Sequence, residues 1–167
     1  MHRRPFVTQF GREPNSRRLI IAAVVLGLGL GGLFDGIVLH QILQWHHMIS
    51  TPIPPTSLEN LQANTLGDGV FHAVTWALTV TGVLALVSSN GALHQHHGVR
   101  TLVGGMLLGW GLFNVVEGVM AHHLLNLHHV RPGQDEFAYD AAFLIWGIAM
   151  LVVGIALVRG ASVRAWY

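Results

Sequence analysis

The sequence predicts an all-α integral membrane protein, a four-helix bundle built from two tandem helical hairpins in the same orientation. Three observations predict this fold: a scarcity of charge, four long apolar runs, and a motif that recurs at a fixed distance. Of the 167 residues, 51% are hydrophobic and only 10% are charged, whereas roughly 25% of residues are charged in soluble proteins. The length suits a single domain.

Four helices separated by polar loops account for the four apolar runs. About 20 apolar residues at ~1.5 Å each cross the hydrocarbon core of a bilayer. Residues 1–16 are polar and basic, and we expect them to form a flexible cytoplasmic arm before the membrane domain of residues 17–167. The first apolar run is too long for a signal peptide, and its end lacks a small-residue cleavage pattern. The predicted helices cover residues 17–48, 64–88, 100–130 and 136–159.

The recurring motif covers residues 35–47 and returns as residues 117–129, at an offset of 82. An acid begins each copy, and three histidines occupy the same positions in both. The second and fourth helices correspond at an offset of 72, at which Asp68 matches Asp140. Two hairpins used in the same orientation imply a pseudo-twofold axis along the membrane normal.

The arginines predict the orientation of the chain, since lysine is absent. Arg131 alone falls on one side of the predicted spans. The other eight arginines fall on the opposite side: Arg3, Arg4, Arg12, Arg17, Arg18, Arg100, Arg159 and Arg164. Under the positive-inside rule, both termini are therefore cytoplasmic. The acids and most histidines then lie in the outer half of the membrane or at its outer face.

Carboxylates within these helices need partners, because a charged side chain at membrane depth costs roughly 2.5–3.5 kcal/mol on insertion scales. Every arginine flanks an apolar run and none lies within one, so the acids must be protonated, paired with histidine, or bound to a metal ion. Imidazole together with carboxylate suits iron, zinc, copper or manganese. The absence of cysteine excludes thiolate sites and iron–sulfur clusters.

Helical geometry places a condition on such a site. Asp35 and His40 are five residues apart, about 140° around a regular α-helix, so they point to one place only where the helix is locally unwound. Gly36 and Gly118 each follow an acid and would permit a π-bulge there. Failing that, one residue of each acid–histidine pair is a ligand and the other orients a neighbouring imidazole.

We take twelve residues as candidate metal ligands, arranged in two tiers. The inner tier comprises Asp35, His40, Asp68, His72, Glu117, His122 and Asp140. The outer tier comprises His46, His47, His128 and His129, with His123 between the tiers. Gln44, Asn126 and Trp76 are expected to support the ligands. Leu144 stands where His72 stands in the first hairpin, so an asymmetric inner site is expected. His94, His96 and His97 lie in a loop on the opposite side and are expected to be solvated.

Three segments carry specific motifs: Phe34–Met48, Asp68–Trp76 and Gly111–Val130. Together they resemble a family of bacterial predicted membrane proteins catalogued as domain of unknown function 2243. The resemblance covers nearly the whole chain and implies a multi-pass protein of the bacterial plasma membrane with four spans. It supplies no established activity. The resemblance also implies a link between some relatives and cytochrome oxidase assembly proteins, which points toward copper handling.

The function favoured here is a membrane protein that binds copper or another transition metal and supplies respiratory oxidase assembly proteins. The runner-up is an oxidoreductase with a di-iron or di-copper centre. Zinc remains open as the metal. A b-type haem held by His40 and His122 is disfavoured by the crowd of acids, and a proton path is disfavoured because Leu19–Phe34 offers no polar continuation. Nucleic acid is excluded as a partner, while association of two copies stays open.

Overall fold

A computed structural model describes residues 14–163, and the described part of the chain is helical with no β-strand. Four of its helices are long and apolar enough to cross a membrane. Helix α1 (Pro14–Phe34) continues directly into a π-helical segment, π1 (Asp35–Ile42), and α4 (Gly98–Glu117) continues into π2 (Gly118–Leu124). The remaining helices are α2 (Leu58–Ser88), the single turn α3 (Asn90–Leu93) and α5 (Glu136–Val163).

Helices α1 and α4 form the central pair of the four-helix bundle. Helix α2 packs against α1, and α5 packs against α4. Glycines allow the central pair to touch at the backbone: a Cβ at Gly27 would overlap the backbone of Met106, and a Cβ at Gly109 would overlap that of Val24. Close approach at small residues is the usual way in which membrane helices associate.

The outer faces of α2 and α5 carry large apolar side chains. Trp76, Leu84 and Ile145 are 62%, 65% and 67% exposed. Side chains of this kind are stable on a surface that faces lipid, since the acyl chains are as apolar as they are. The apolar outer surface therefore fits a bundle surrounded by a bilayer.

Several predicted helix boundaries were wrong. The first and third helices were expected to continue to residues 48 and 130, but they end at Ile42 and Leu124. Gln44 and Asn126 shortly follow these ends, and both adopt a left-handed backbone with φ of 50°. A residue in that conformation stops a helix and turns the chain.

The other boundaries differ less. Helix α1 begins at Pro14, within the stretch expected to be a flexible arm, while residues 1–13 lie outside the described residues. Helix α2 begins six residues earlier than expected because Ser57 caps it, its hydroxyl accepting a hydrogen bond from the backbone N–H of Asn60. Helix α5 extends past residue 159 to Val163.

Candidate metal centre

The two π-helical segments bring each acid toward the histidine that follows it five residues later. In a π-helix the hydrogen bonds run between residues five apart, so such residues meet on one side. The Nε2 atom of His40 lies 3.1 Å from Oδ2 of Asp35. The Nε2 atom of His122 lies at the same distance, 3.1 Å, from Oε1 of Glu117. The unwinding required by the spacing is therefore present in both copies of the motif.

A second carboxylate, supplied by the neighbouring hairpin helix, holds the other face of each imidazole. The Nδ1 atom of His40 lies 2.8 Å from Oδ1 of Asp68, which also accepts a 2.8 Å hydrogen bond from the backbone N–H of Met48. In the other half, Nδ1 of His122 lies 3.3 Å from Oδ1 of Asp140. The same oxygen of Asp140 accepts a 2.9 Å hydrogen bond from the backbone N–H of Val130. Asp68 thus orients the imidazole of His40 through a hydrogen bond, whereas Asp140 lies near His122 without forming one.

After each helix ends, the chain turns back and inserts another histidine into the bundle. His46 and His128 are 3% and 1% exposed, and their rings stack with centroids 4.5 Å apart and planes 4° from parallel. The Nδ1 atom of His46 donates to the carbonyl oxygen of Val130 at 2.8 Å, and that of His128 donates to the carbonyl oxygen of Met48 at 3.0 Å. Each half of the chain therefore anchors the histidine of the other.

These anchors determine where the remaining lone pairs point. A backbone carbonyl has no proton to give, so Nδ1 of His128 carries the hydrogen and Nε2 of the neutral ring is bare. That bare Nε2 lies only 2.8 Å from Oε1 of Glu117. Two lone pairs at this distance repel unless a proton or a metal ion lies between them. Close contacts between an imidazole nitrogen and a carboxylate oxygen also occur where His40 faces Asp35 and where His122 faces Glu117, each at 3.1 Å.

Buried polar atoms without a hydrogen-bond partner concentrate at this place. Among the described residues they include Nε2 of His40 and of His46, both ring nitrogens of His122, and Oε2 of Glu117. Leaving such an atom unpaired costs about 1–3 kcal/mol. Two groups have ligand atoms within 4.8 Å of one another, one formed by His40, His46 and His128 and the other by Glu117, His122 and His128.

His46 lies in the connection after π1, outside the candidate spans, and its charge state suits a ligand. Burial, together with the neighbouring imidazoles of His128 and His40, lowers the pKa of His46 from 6.5 to about 3. The side chain is therefore neutral near pH 7, the form in which imidazole binds metal ions.

Two further candidates, His47 and His129, lie at the outer edge of the cluster. Their Nδ1 atoms each lie 2.7 Å from a carboxylate oxygen, of Asp68 and Asp140 respectively. Both line a surface depression of about 680 Å³ that also reaches His46. The side chain of His129 further approaches Glu136, with Nε2 and Oε1 3.3 Å apart. The depression gives the buried cluster an opening at the end of the bundle.

The structure does not bring the other predicted residues into the cluster. His72 packs its ring over Gly36, where a Cβ would collide with Nε2 of His72. Leu144 fills the equivalent position over Gly118, so the expected asymmetry is a packing difference beside the cluster. Of the remaining candidates, Gln44 and Asn126 are exposed in the two turns, Trp76 is 62% exposed, and His123 is exposed beside His122. The loop with His94, His96 and His97 lies at the opposite end of α4.

Several contributors were missing from the sequence prediction. The carbonyls of Met48 and Val130 have no sequence signal, because every residue carries one. Arg131 donates a 2.6 Å hydrogen bond to the hydroxyl of Tyr139 and lies 5.4 Å from the ring centre of Trp45. The sequence signal for this contact was an aromatic residue, Trp45, in the loop after π1 and an arginine, Arg131, in the loop after π2. It joins the loops of the two hairpins beside the depression.

Comparison with known proteins gives the chain a family. A family model described as a predicted membrane protein (DUF2243) matches residues 22–161. The chain belongs to that family. No curated protein and no solved structure matches it. The matched residues of this DUF2243 protein include most of each of the four apolar helices and the whole buried cluster, so the cluster lies within the part that defines the family.

Proposed function

We propose that this DUF2243 protein binds a transition metal at the buried cluster and handles it at the outer face of the membrane. One observation carries the proposal: imidazole nitrogens face carboxylate oxygens at about 3 Å in a buried place, where either a proton or a metal ion has to lie between the two atoms. The clearest case is His128, whose Nε2 lies 2.8 Å from Glu117 while its hydrogen is committed elsewhere. A metal ion converts these repulsions into bonds.

We assign residues as metal ligands or as residues that orient the ligands according to whether they lie at Nε2 or at Nδ1 of the imidazoles. The proposed ligands are the residues on the Nε2 side: Asp35, His40, His46, Glu117, His122 and His128. Asp68 and Asp140 meet Nδ1 instead, and we assign them the outer role that carboxylates commonly take behind metal-bound histidines. His47 and His129 share those two carboxylates and sit nearer the opening, so we assign them to the approach route.

Protonation alone would be a weaker solution for these acids. A carboxylate in a membrane span usually pairs with arginine or lysine. Within residues 14–163, the one arginine at this end of the bundle is Arg131, which contacts Tyr139 and Trp45. The described residues therefore supply no arginine to the cluster, which supports a bound metal cation.

We further propose the orientation and symmetry predicted from the sequence. Both termini lie in the cytoplasm, with residues 1–16 as a basic arm, and the cluster lies in the outer half of a bacterial plasma membrane. The two hairpins are copies related by a pseudo-twofold axis along the membrane normal. The matching contacts of His40 with Asp68 and of His122 with Asp140 support this relationship.

Copper supply to respiratory oxidase assembly proteins is the physiological role we propose. The outward opening beside His46 supports exchange of a metal with a partner at that face. The second candidate is an oxidoreductase with a di-iron or di-copper centre. It is favoured by the composition of the ligand set, since two imidazoles with one carboxylate is the ligand set of many non-haem iron enzymes.

Metal content of the purified protein tests the proposal. The protein is purified without chelators or a nickel column, and bound metals are measured by elemental mass spectrometry. We expect copper or iron to be retained, and a His40→Ala/His122→Ala variant to lose it. A variant with His94→Ala and His96→Ala is the matched control and should keep its metal. A folded protein that binds none of copper, iron or zinc would overturn the proposal, and a Soret band would indicate haem instead.

A further inference from the structure

Two groups of side chains in the buried cluster have ligand atoms that converge, and the two groups overlap. The first group consists of three histidines, His40, His46 and His128, and the second group consists of Glu117, His122 and His128. Within each group the ligand atoms all lie within 4.8 Å of one another. His128 belongs to both groups, so its imidazole lies where the two places that could hold an ion meet.

The imidazole of His128 can bind only one ion. Its Nδ1 carries the hydrogen that is donated to the carbonyl oxygen of Met48 at 3.0 Å, which leaves one lone pair, on Nε2. Coordination of two ions would need both ring nitrogens, because each nitrogen has a single lone pair. The two groups therefore cannot each hold an ion with a complete set of ligands at the same time.

The bare nitrogen of His128 is within reach of partners from both groups. It lies 2.8 Å from Oε1 of Glu117, and that oxygen lies 3.1 Å from Nε2 of His122. The ring of His128 also stacks on that of His46 with centroids 4.5 Å apart, and it meets the ring of His40 edge-on at 5.7 Å. Nε2 of His40 and Nε2 of His46 have no hydrogen-bond partner. An ion at Nε2 of His128 therefore finds further ligands in either group.

The two groups differ in their access to the surface depression. His46 lines the depression, whereas its described lining residues include none of Glu117, His122 and His128. An ion that arrives through the depression therefore meets the three-histidine group first. We call that group the entry position, and we call the group that contains Glu117 the far position.

The two positions also differ in their donor atoms. The entry position offers three imidazole nitrogens, and Asp35 lies beside it, 3.1 Å from Nε2 of His40. The far position offers two imidazole nitrogens and a carboxylate oxygen of Glu117. Both donor sets suit transition metals, since imidazole binds copper, zinc and iron, and two imidazoles with one carboxylate bind iron. The number of coordinated nitrogens therefore identifies the position that an ion occupies.

We infer that the centre holds one transition-metal ion at a time, in either of two overlapping positions that share His128 as a ligand. This inference rests on the proposed function and adds the number of ions and the path that an ion takes. The ion enters at His46. It passes to Glu117 and His122 by exchange of the other ligands while Nε2 of His128 stays bound, so the ion is not released between the two positions.

Titration of the purified full-length protein with Cu²⁺, and separately with anaerobic Fe²⁺, tests the number of ions and needs no variant. After removal of free metal we expect one ion per chain by elemental mass spectrometry, and for Cu²⁺ the electron paramagnetic resonance spectrum of an isolated centre. The His94→Ala/His96→Ala variant is the control and should give the same stoichiometry. Two ions per chain would overturn the inference while leaving the proposed function standing. Binding of neither metal by the folded protein would overturn both.

Three variants test the shared ligand. His46→Ala alters only the entry position and Glu117→Gln alters only the far position, so each should still bind one Cu²⁺. Pulsed paramagnetic resonance should detect two coordinated imidazoles in the first variant and three in the second. His128→Ala alters both positions and should lose the ion. Loss of the ion from either of the first two variants, or its retention by His128→Ala, would overturn the inference. Circular dichroism and the elution volume establish that each variant is folded.

The rate of metal uptake tests the path. His46→Ala removes the ligand at the depression and should take up Cu²⁺ more slowly than the unaltered protein, whereas Glu117→Gln should take it up at the unaltered rate. Stopped-flow absorbance of the copper centre measures both rates. Slower uptake in Glu117→Gln than in His46→Ala would overturn the assignment of the entry position.

Discussion

The imidazole of His46 donates a 2.8 Å hydrogen bond to the backbone carbonyl of Val130, 84 residues further along the chain. In the same way, the imidazole of His128 donates a 3.0 Å hydrogen bond to the backbone carbonyl of Met48. These two bonds connect the ends of the hairpins through two of the proposed ligands. The geometry of the cluster therefore depends on the docking of the two hairpins, and the following expectations test different parts of that arrangement.

Asp68 should control metal affinity without contacting the metal. It receives Nδ1 of His40 and of His47 and the backbone N–H of Met48. Asp68→Asn keeps the shape but removes the negative charge that orients and polarises His40, so we expect metal affinity to fall about 10–100-fold. Competition with a chromophoric chelator measures this change.

Glu59→Gln is the control for that substitution, because Glu59 lies in the exposed first turn of the same helix. It should leave the affinity unchanged. Asp140→Asn should reproduce the effect of Asp68→Asn in the second half. Unaltered affinity in both aspartate variants would contradict the outer role assigned to these carboxylates.

Bound metal should stabilise the folded protein. The ligand atoms converge only in the folded chain, so a metal at 100 times its dissociation constant adds about 2.7 kcal/mol to the free energy of unfolding. Thermal unfolding in detergent should therefore show a higher midpoint with metal than with chelator. The His40→Ala/His122→Ala variant should unfold at the same temperature in both conditions, and a shift in that variant would place the bound metal elsewhere.

Gly36 should be intolerant of a side chain because His72 packs against it. Gly36→Ala forces the His72 ring to move, and overpacking of this kind costs about 1–3 kcal/mol. Adding His72→Ala removes the obstacle and should restore most of the thermal stability. Gly69→Ala is the control, since no atom lies within 4 Å of the position of its added Cβ. Failure of the double variant to recover would show that Gly36 is required for the π-helix itself.

Histidines outside the cluster should be dispensable for binding. His94 and His96 are exposed at the opposite end of the bundle from π1 and π2, and His72 lies against Gly36. Alanine at any of them should leave the metal stoichiometry of the folded protein unchanged. Loss of an ion from the His72→Ala variant would return His72 to the ligand set.

Much of this fold could be predicted because lipid imposes simple rules on sequence. Long apolar runs indicated four spans, and the spacing of five between Asp35 and His40 indicated a π-helix if both were to serve one site. The repeat at offset 82 drew attention to the second set of residues. The apolar runs and the spacing are local signals, and the repeat is found by comparing one segment with another. Both can be read from a single sequence.

The turns that end π1 and π2 could not be predicted in the same way. Asn126 is a residue that tolerates a left-handed backbone, but Gln44 at the equivalent position has no such preference, so the pair gave a mixed signal. A continuous helix was therefore expected, and it would have carried His46 and His128 away from the bundle. Their return depends on tertiary contacts with backbone carbonyls, which leave no pattern in the sequence.

The exchanged hydrogen bonds of His46 and His128 have a consequence for dissection of the protein. A polypeptide comprising one hairpin alone would retain its acid and both imidazoles. Its second imidazole, His46 or His128, would however lose the backbone carbonyl of the other hairpin that accepts its hydrogen bond. Two separately produced hairpins would therefore have to associate in the bilayer before the proposed metal centre could form.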